Sequence, residues 1–223
     1  MPTLHHLATT IVASALALTG AGCNAYSVMV HRPPDHAVDD AISRRWAREI
    51  RAVARTGDWI LSRSYYLVAD GIALGTGGVA LSHASIYDAE TDTVIEAVET
   101  GIREIPLEKL LERNHYAIVV RPAELTDAEQ REAIALARAQ VGGEFDGAGM
   151  FGMNDRDTFY CSELVWWAVG GDQRFGEQSV ITPSEMLDYG EVVYWSGERD
   201  DLQMQHIAAD EVVAPGASAT AAP

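Results

Sequence analysis

The sequence is short of what several protein classes require. It has two cysteines, Cys23 and Cys161, in 223 residues, which excludes a disulfide-stapled mini-fold and a cysteine-rich zinc site. No run of about eighteen apolar residues occurs, so no conventional membrane-spanning helix is expected. Basic residues are few: 16 Lys and Arg stand against 33 Asp and Glu, a formal net charge of −17. Such a chain repels phosphate backbones, so nucleic acid is not an expected partner. It is also repelled by anionic lipid head groups, so any membrane attachment would be hydrophobic or covalent. HExxH and CxxC are both missing, paired carboxylates such as Asp39-Asp40 and Asp200-Asp201 read as solvated surface, and neither a metal nor a cofactor is expected. What is present suffices for a core. At 48% hydrophobic and 22% charged, the chain is one domain of ordinary size with some extra length.

That extra length lies at the ends. Residues 1–22 contain no Asp, Glu, Lys or Arg, and Leu7 to Leu18 reads LATTIVASALAL, an apolar stretch of signal-peptide length. Gly20, Ala21 and Gly22 then precede Cys23. Small residues before a Cys resemble a bacterial lipoprotein signal, in which cleavage leaves the Cys as a lipidated N-terminus. Cys23 is therefore the expected lipidation site, and the protein is expected in the cell envelope as an outer-membrane lipoprotein facing the periplasm, Asn24 being unlike the Asp that often retains such proteins at an inner membrane. The alternative is an ordinary secretory signal, giving a periplasmic or secreted protein. Residues 23–38 form a tether carrying Pro33-Pro34, and a tail from Val213, ending APGASATAAP, has little to bury.

Between them the pattern is mixed. Ile42, Trp46, Ile50 and Val53 share one face of a helix expected over 39–56, with Arg44, Arg45, Arg48 and Arg51 on the remaining surface. Strands are expected from Trp59, over 82–88, 93–98 and 116–121, and over 191–195. Thr126-Asp127-Ala128-Glu129 has capping-box form and opens a helix to about Gln140, with Ile134, Ala137 and Val141 on its apolar side. A further helix is expected from Cys161 to Val169 and a short one near 183–187. The glycine-rich stretch 71–78 lacks both the Gly-Lys-Ser/Thr of a phosphate loop and GxGxxG, and reads as a mobile segment bordering a site.

The chemistry centres on Cys161. It opens a helix in FYCSELVWWAV, on the face shared with Leu164, Val165 and Ala168, where free backbone N–H groups favour a thiolate. A buried structural Cys or a Cys23–Cys161 disulfide is the alternative. A nucleophilic Cys needs a base. His31, His36 and His206 lie in the tether or near the tail, and His115 lies in a turn before a strand. His83, in SHASIYD after the glycine-rich stretch, shares a strand face with Ser85 and Tyr87. If Asp88 pairs with Thr93, Glu96 of the next strand faces Ser85 and lies diagonal to His83, within side-chain reach. A slip of one residue would send Glu96 to the other face. A carboxylate there can orient an imidazole and stabilise its charged form.

The order GDWIL, SHASIYD, VIEAVETGI, EFD, FYCSELV resembles the permuted papain-like amidases of the YiiX/YaeF type, relatives of the NlpC-type cell-wall peptidases. The likeness runs over about 57–169. It implies an α+β fold, a circularly permuted papain-like domain over about 57–212 with an antiparallel sheet packed against helices. It implies Cys161 as nucleophile, His83 as base and Glu96 as orienter in a cysteine hydrolase or acyltransferase. The expected partners are peptide, cell-wall fragment or lipid-derived acyl substrates, together with the membrane through the N-terminal anchor. An amidase or peptidase is the first reading; a lipid acyltransferase or esterase, or a non-catalytic binding lipoprotein keeping the fold, is the alternative. Phe145 stands where the family more often has Tyr, which bears on substrate preference.

Overall fold

The computed structural model describes residues 36–65, 81–153 and 158–213. The leader, Cys23, most of the tether, the glycine-rich stretch and the tail from residue 214 lie outside the described residues. Helix α1 (His36–Val53) leads into β1 (Trp59–Ser64), followed by β2 (His83–Asp88), β3 (Thr93–Val98) and β4 (Gly101–Pro106). A short helix α2 (Leu107–Leu111) then precedes β5 (Asn114–Pro122). Helix α3 (Asp127–Ala139), a 3-10 turn (Gly149–Phe151), helices α4 (Cys161–Ala168) and α5 (Gly171–Phe175), a second 3-10 turn (Glu185–Tyr189), β6 (Gly190–Trp195) and α6 (Leu202–Val213) complete the order.

The strands form one six-stranded sheet, β4-β3-β2-β1-β5-β6, with every pairing antiparallel. Its two faces carry separate cores. Trp59, Leu61, Ala84, Ile86, Ile95, Ala97, Ile118 and Val120 pack with Ile134, Ala137, Leu164 and Val165 of α3 and α4. Ile60, Tyr87, Val94, Ala117 and Val119 pack with Ile42, Trp46 and Ile50 of α1, Leu110 of α2 and Ala208 of α6. Alternation along each strand thus feeds two helical layers, the pattern of a sheet covered on both sides.

The β2–β3 turn fixes register. Asp88 accepts the Glu90 N–H at 3.0 Å and the Thr91 hydroxyl at 3.0 Å, and Asp88 pairs with Thr93, Tyr87 with Val94 and Ile86 with Ile95. The expected capping box opens α3: Thr126 accepts the Glu129 N–H at 3.3 Å, and Glu129 accepts the Thr126 N–H at 2.8 Å.

Several expectations are corrected. Helix α1 begins at His36, inside the expected tether, and stops at Val53; Gly57 follows with φ +91°, where a Cβ would meet Gln130 at 2.5 Å. Val53 and Val141 are exposed instead of buried, Val53 at the helix end and Val141 beyond it. Val213 ends a helix, α6, that lacks a clear apolar period and is held through Ala208, Met204 and Ala209 against α1. Glu211 of α6 pairs with Arg45 and Arg48 at 3.3 and 3.1 Å, while Arg51 meets Asp92 and Glu108, so three of the arginines on α1 fasten it to neighbours. Asp39 is not solvated surface. It is buried against the guanidinium of Arg199, itself fully buried.

Candidate active site

The site assembles where β2 and α4 begin. Beyond Ile86 and Ile95 the β2–β3 ladder carries no further pair, and side chains bridge the opening. His83, the first residue of β2, and Glu96 of β3 meet there: His83 Nε2 lies 2.7 Å from Glu96 Oε2. The register that places them is the one read from the sequence. Cys161, the first residue of α4, lies by the His83 ring and the Ala84 N–H, and both bear on its sulfur. Because Glu96 takes Nε2, Nδ1 is the ring nitrogen left for the thiol. Cys161 is a free thiol, and all three residues are buried.

Helix α4 is anchored so that its start is fixed. Leu164 and Val165 are fully buried in the core, as the sequence spacing requires. The Ser162 hydroxyl donates to the Ile181 carbonyl at 2.7 Å, the Tyr160 hydroxyl accepts the Ile181 N–H at 2.9 Å, and the Tyr160 N–H reaches Glu163 at 3.3 Å. The FD and FYC segments touch through a bridge between Phe145 and Phe159, and Asp146 accepts the Ala148 and Gly149 N–H groups at 3.0 and 2.7 Å, holding the start of the 3-10 turn Gly149–Phe151.

The electrostatics favour charge separation. Burial alone would push the Cys161 thiol up; the hydrogen bond and charge of His83 and the Ala84 N–H outweigh it and hold the thiol below its ordinary value. Burial alone would push the imidazole down; Cys161 and Glu96 outweigh it and raise His83 to about 9. Burial opposes ionisation of Glu96, yet His83, Arg113 and Arg103 hold its carboxyl well below the usual carboxylate range. These directions are those of a thiolate–imidazolium pair backed by a carboxylate.

The two arginines were not legible as site residues. Arg103 Nε donates to Glu96 Oε1 at 2.9 Å because Arg103 lies directly across from Glu96 on β4, a strand the sequence pattern did not reveal. Arg113, in the turn before β5, donates to Glu96 Oε2, the oxygen that also meets His83. Among the described residues, one group of metal-ligating side chains gathers: His115, Glu198 and Asp200, with ligand atoms within 4.8 Å of one another. Both carboxylates are largely exposed, and His115 lies 3.3 Å from Asp200, a polar contact at the surface. It shares no residue with the Cys161–His83–Glu96 set.

Residues 53–187, more than half of the chain, match the family of permuted papain-like amidase enzymes, YaeF/YiiX type, peptidase family C92. The chain belongs to this family. The permuted papain-like fold is therefore the architecture described above, and the family's hydrolase or amidase class is that of this protein. A solved structure described as the metalloprotein yiiX from Escherichia coli O157:H7 is similar at 19% identity, covering 65% of this chain and 97% of its own, with a TM-score of 0.46. Among curated proteins none matches the chain.

Proposed function

We propose that the protein is an exported, lipid-anchored cysteine amidase or peptidase acting on peptide or cell-wall fragments. Cys161 is the nucleophile, His83 the general base and acid, and Glu96 the orienter. The observation that carries this reading is the 2.7 Å contact of His83 Nε2 with Glu96 Oε2 beside the Cys161 thiol, on which the same imidazole acts, in a chain of the permuted papain-like amidase family. The Cys161 sulfur attacks the amide carbonyl carbon, forming the C–S bond and a tetrahedral oxyanion. His83 gives its proton to the leaving nitrogen as the C–N bond breaks, releasing an amine and leaving a thioester. Water then attacks that thioester, passes a proton to His83, and frees the acid and the thiol. N–H groups of the first turn of α4, including that of Cys161, have no partner within the helix and are natural donors to the oxyanion. Envelope anchoring through a lipidated Cys23 rests on the apolar, uncharged leader and the Gly-Ala-Gly before Cys23. It would put the enzyme where cell-wall peptides occur.

The test is the pH profile of Cys161 alkylation by iodoacetamide, in wild type and His83→Ala, alongside turnover of cell-wall peptides. The thiol pKa is lowered and the imidazole pKa raised, so the ion pair exists from below the ordinary thiol value up to about pH 9. The wild-type alkylation rate should reach its plateau below about pH 8, turnover should fall as pH rises through about 9, and His83→Ala should move the alkylation midpoint up toward about 8.5. A thiol that titrates near about 8.5 in both proteins, or that fails to react while folded, overturns the assignment.

A further inference from the structure

Glu96 sits at the far end of this chain of contacts and is fully buried. A carboxylate so placed needs both an orientation and a counter-charge, and His83 alone does not supply them. When Cys161 is a thiolate and His83 an imidazolium, their charges cancel, and Glu96 remains as one uncompensated negative charge in a desolvated site. Two cations reach it. Arg103 has a side chain 41% exposed, whereas that of Arg113 is 13% exposed, so water screens the first far more than the second. Arg113 also binds the oxygen that holds His83, and Arg103 binds the other. The backbone of Arg113 is fixed on both sides: its N–H donates to the Leu110 carbonyl at 3.3 Å, and its carbonyl accepts the Tyr65 N–H at 3.2 Å. Its guanidinium therefore comes from a held turn between α2 and β5.

The geometry points to Arg113 as a positioning residue: it fixes the Glu96 carboxylate toward His83 and closes the charge balance of the buried set Cys161, His83, Glu96 and Arg113. This rests on the reading of Cys161 and His83 as the reactive pair. Around the set, Arg103 comes from β4, Tyr160 precedes Cys161, and Glu163 of α4 accepts the Tyr160 N–H at 3.3 Å. Burial keeps the Tyr160 phenol protonated.

The sign of the effect separates this role from simple packing. A cation beside Glu96 favours the thiolate and opposes the imidazolium. Its removal therefore raises the thiol midpoint and also raises the imidazolium midpoint, provided Glu96 keeps His83 as its partner. Loosened packing does the reverse at one end: it raises the thiol midpoint and lowers the imidazolium midpoint, because the pair is stabilised less. Removing the Glu96 charge shifts both midpoints down.

The experiment uses the full chain. Iodoacetamide alkylation against pH reads the Cys161 midpoint, and NMR titration of the His83 ring reads the imidazolium midpoint, in wild type, Arg113→Met, Arg113→Lys, Arg103→Met and Glu96→Gln. Arg113→Met should move both midpoints upward by on the order of one pH unit, the scale for a neighbouring charge. Arg113→Lys should largely restore them, Arg103→Met should move them less, and Glu96→Gln should move both downward. Arg113→Gln, which drops the charge but keeps hydrogen-bond donors, replaces the Met variant if that one misfolds. Midpoints unchanged in Arg113→Met, or moving in opposite directions, overturn the proposal. An ordinary thiol midpoint in wild type instead overturns the reactive pair itself, so the two failures are distinguishable.

Discussion

Arg199→Met tests how this fold holds α1 to the sheet. Arg199 is fully buried in the loop between β6 and α6. Its guanidinium donates to the carbonyls of Asn114, Asp39 and Leu111 at 2.9, 2.7 and 2.6 Å, to Ser43 Oγ at 3.1 Å, and to the Asp39 carboxylate. Its Cζ lies 4.6 Å from the centroid of the Trp46 ring. One side chain thus ties α1 to the end of α2 and the start of β5. Met fills a similar volume but supplies no charge, so the Asp39 carboxylate loses its cation while 2% exposed. Breaking a buried pair from one side costs about 3–5 kcal/mol. For a domain of this size each kcal/mol lowers Tm by roughly 2–4 °C, so the expected drop is roughly 6–20 °C. Thermal unfolding by circular dichroism reads it. Asp39→Leu combined with Arg199→Met should cost less than the sum of the single changes, because no orphaned charge remains. An Arg199→Met protein within about 1 kcal/mol of wild type would refute the reasoning, since that is the range of an exposed pair.

Two further outcomes are expected. Burial pushes the Glu163 carboxyl up to about 7, so between its ordinary value near about 4.3 and 7 the folded state keeps a proton that the unfolded chain has lost; stability falls as pH rises through that window and Glu163→Gln flattens the fall, as urea unfolding at several pH values would show, equal slopes in both proteins sinking the idea. Cys23→Ser should release the protein from the membrane fraction, and equal solubility of the two proteins, or an unmodified mature N-terminus by mass spectrometry, would refute the anchor.

The hairpin was the most legible part of the site. His83 and Glu96 are separated by one short turn, and the two-residue period of a strand leaves them together in only one register. Asp88 secures that register through contacts within three residues, so local chemistry was enough. Arg113 and Arg199 were illegible for the opposite reason. Arg113 reaches Glu96 from a turn after two further elements, β4 and α2, neither of which the hydrophobic pattern revealed: GIREIP alternates poorly, and α2 spans a single turn. Asp39 and Arg199 are separated by 160 residues, and a carboxylate at the head of a helix carries no mark of a partner that distant. Helix α6 escaped for a related reason, since its burial rests on Ala208 and on packing against α1 more than on a stripe of its own.

The permuted order leaves Cys161 to arrive last, and small side chains explain where it can land. Ala84 and Ala97 face α4 from β2 and β3, fully buried with Leu164 and Val165. Larger residues there would hold the helix away from the sheet. With alanines the start of α4 reaches the point where the β2–β3 ladder has ended, and the Ala84 N–H, unclaimed by β3, bears on the Cys161 sulfur. The same opening that ends the strand pairing gives His83 and Glu96 room to meet. Strand divergence, small residues and a helix start together bring Cys161 to an imidazole more than 70 residues earlier in the chain. A bulkier side chain at position 84 or 97 would act on the thiol by displacing α4, with the His83–Glu96 contact left in place.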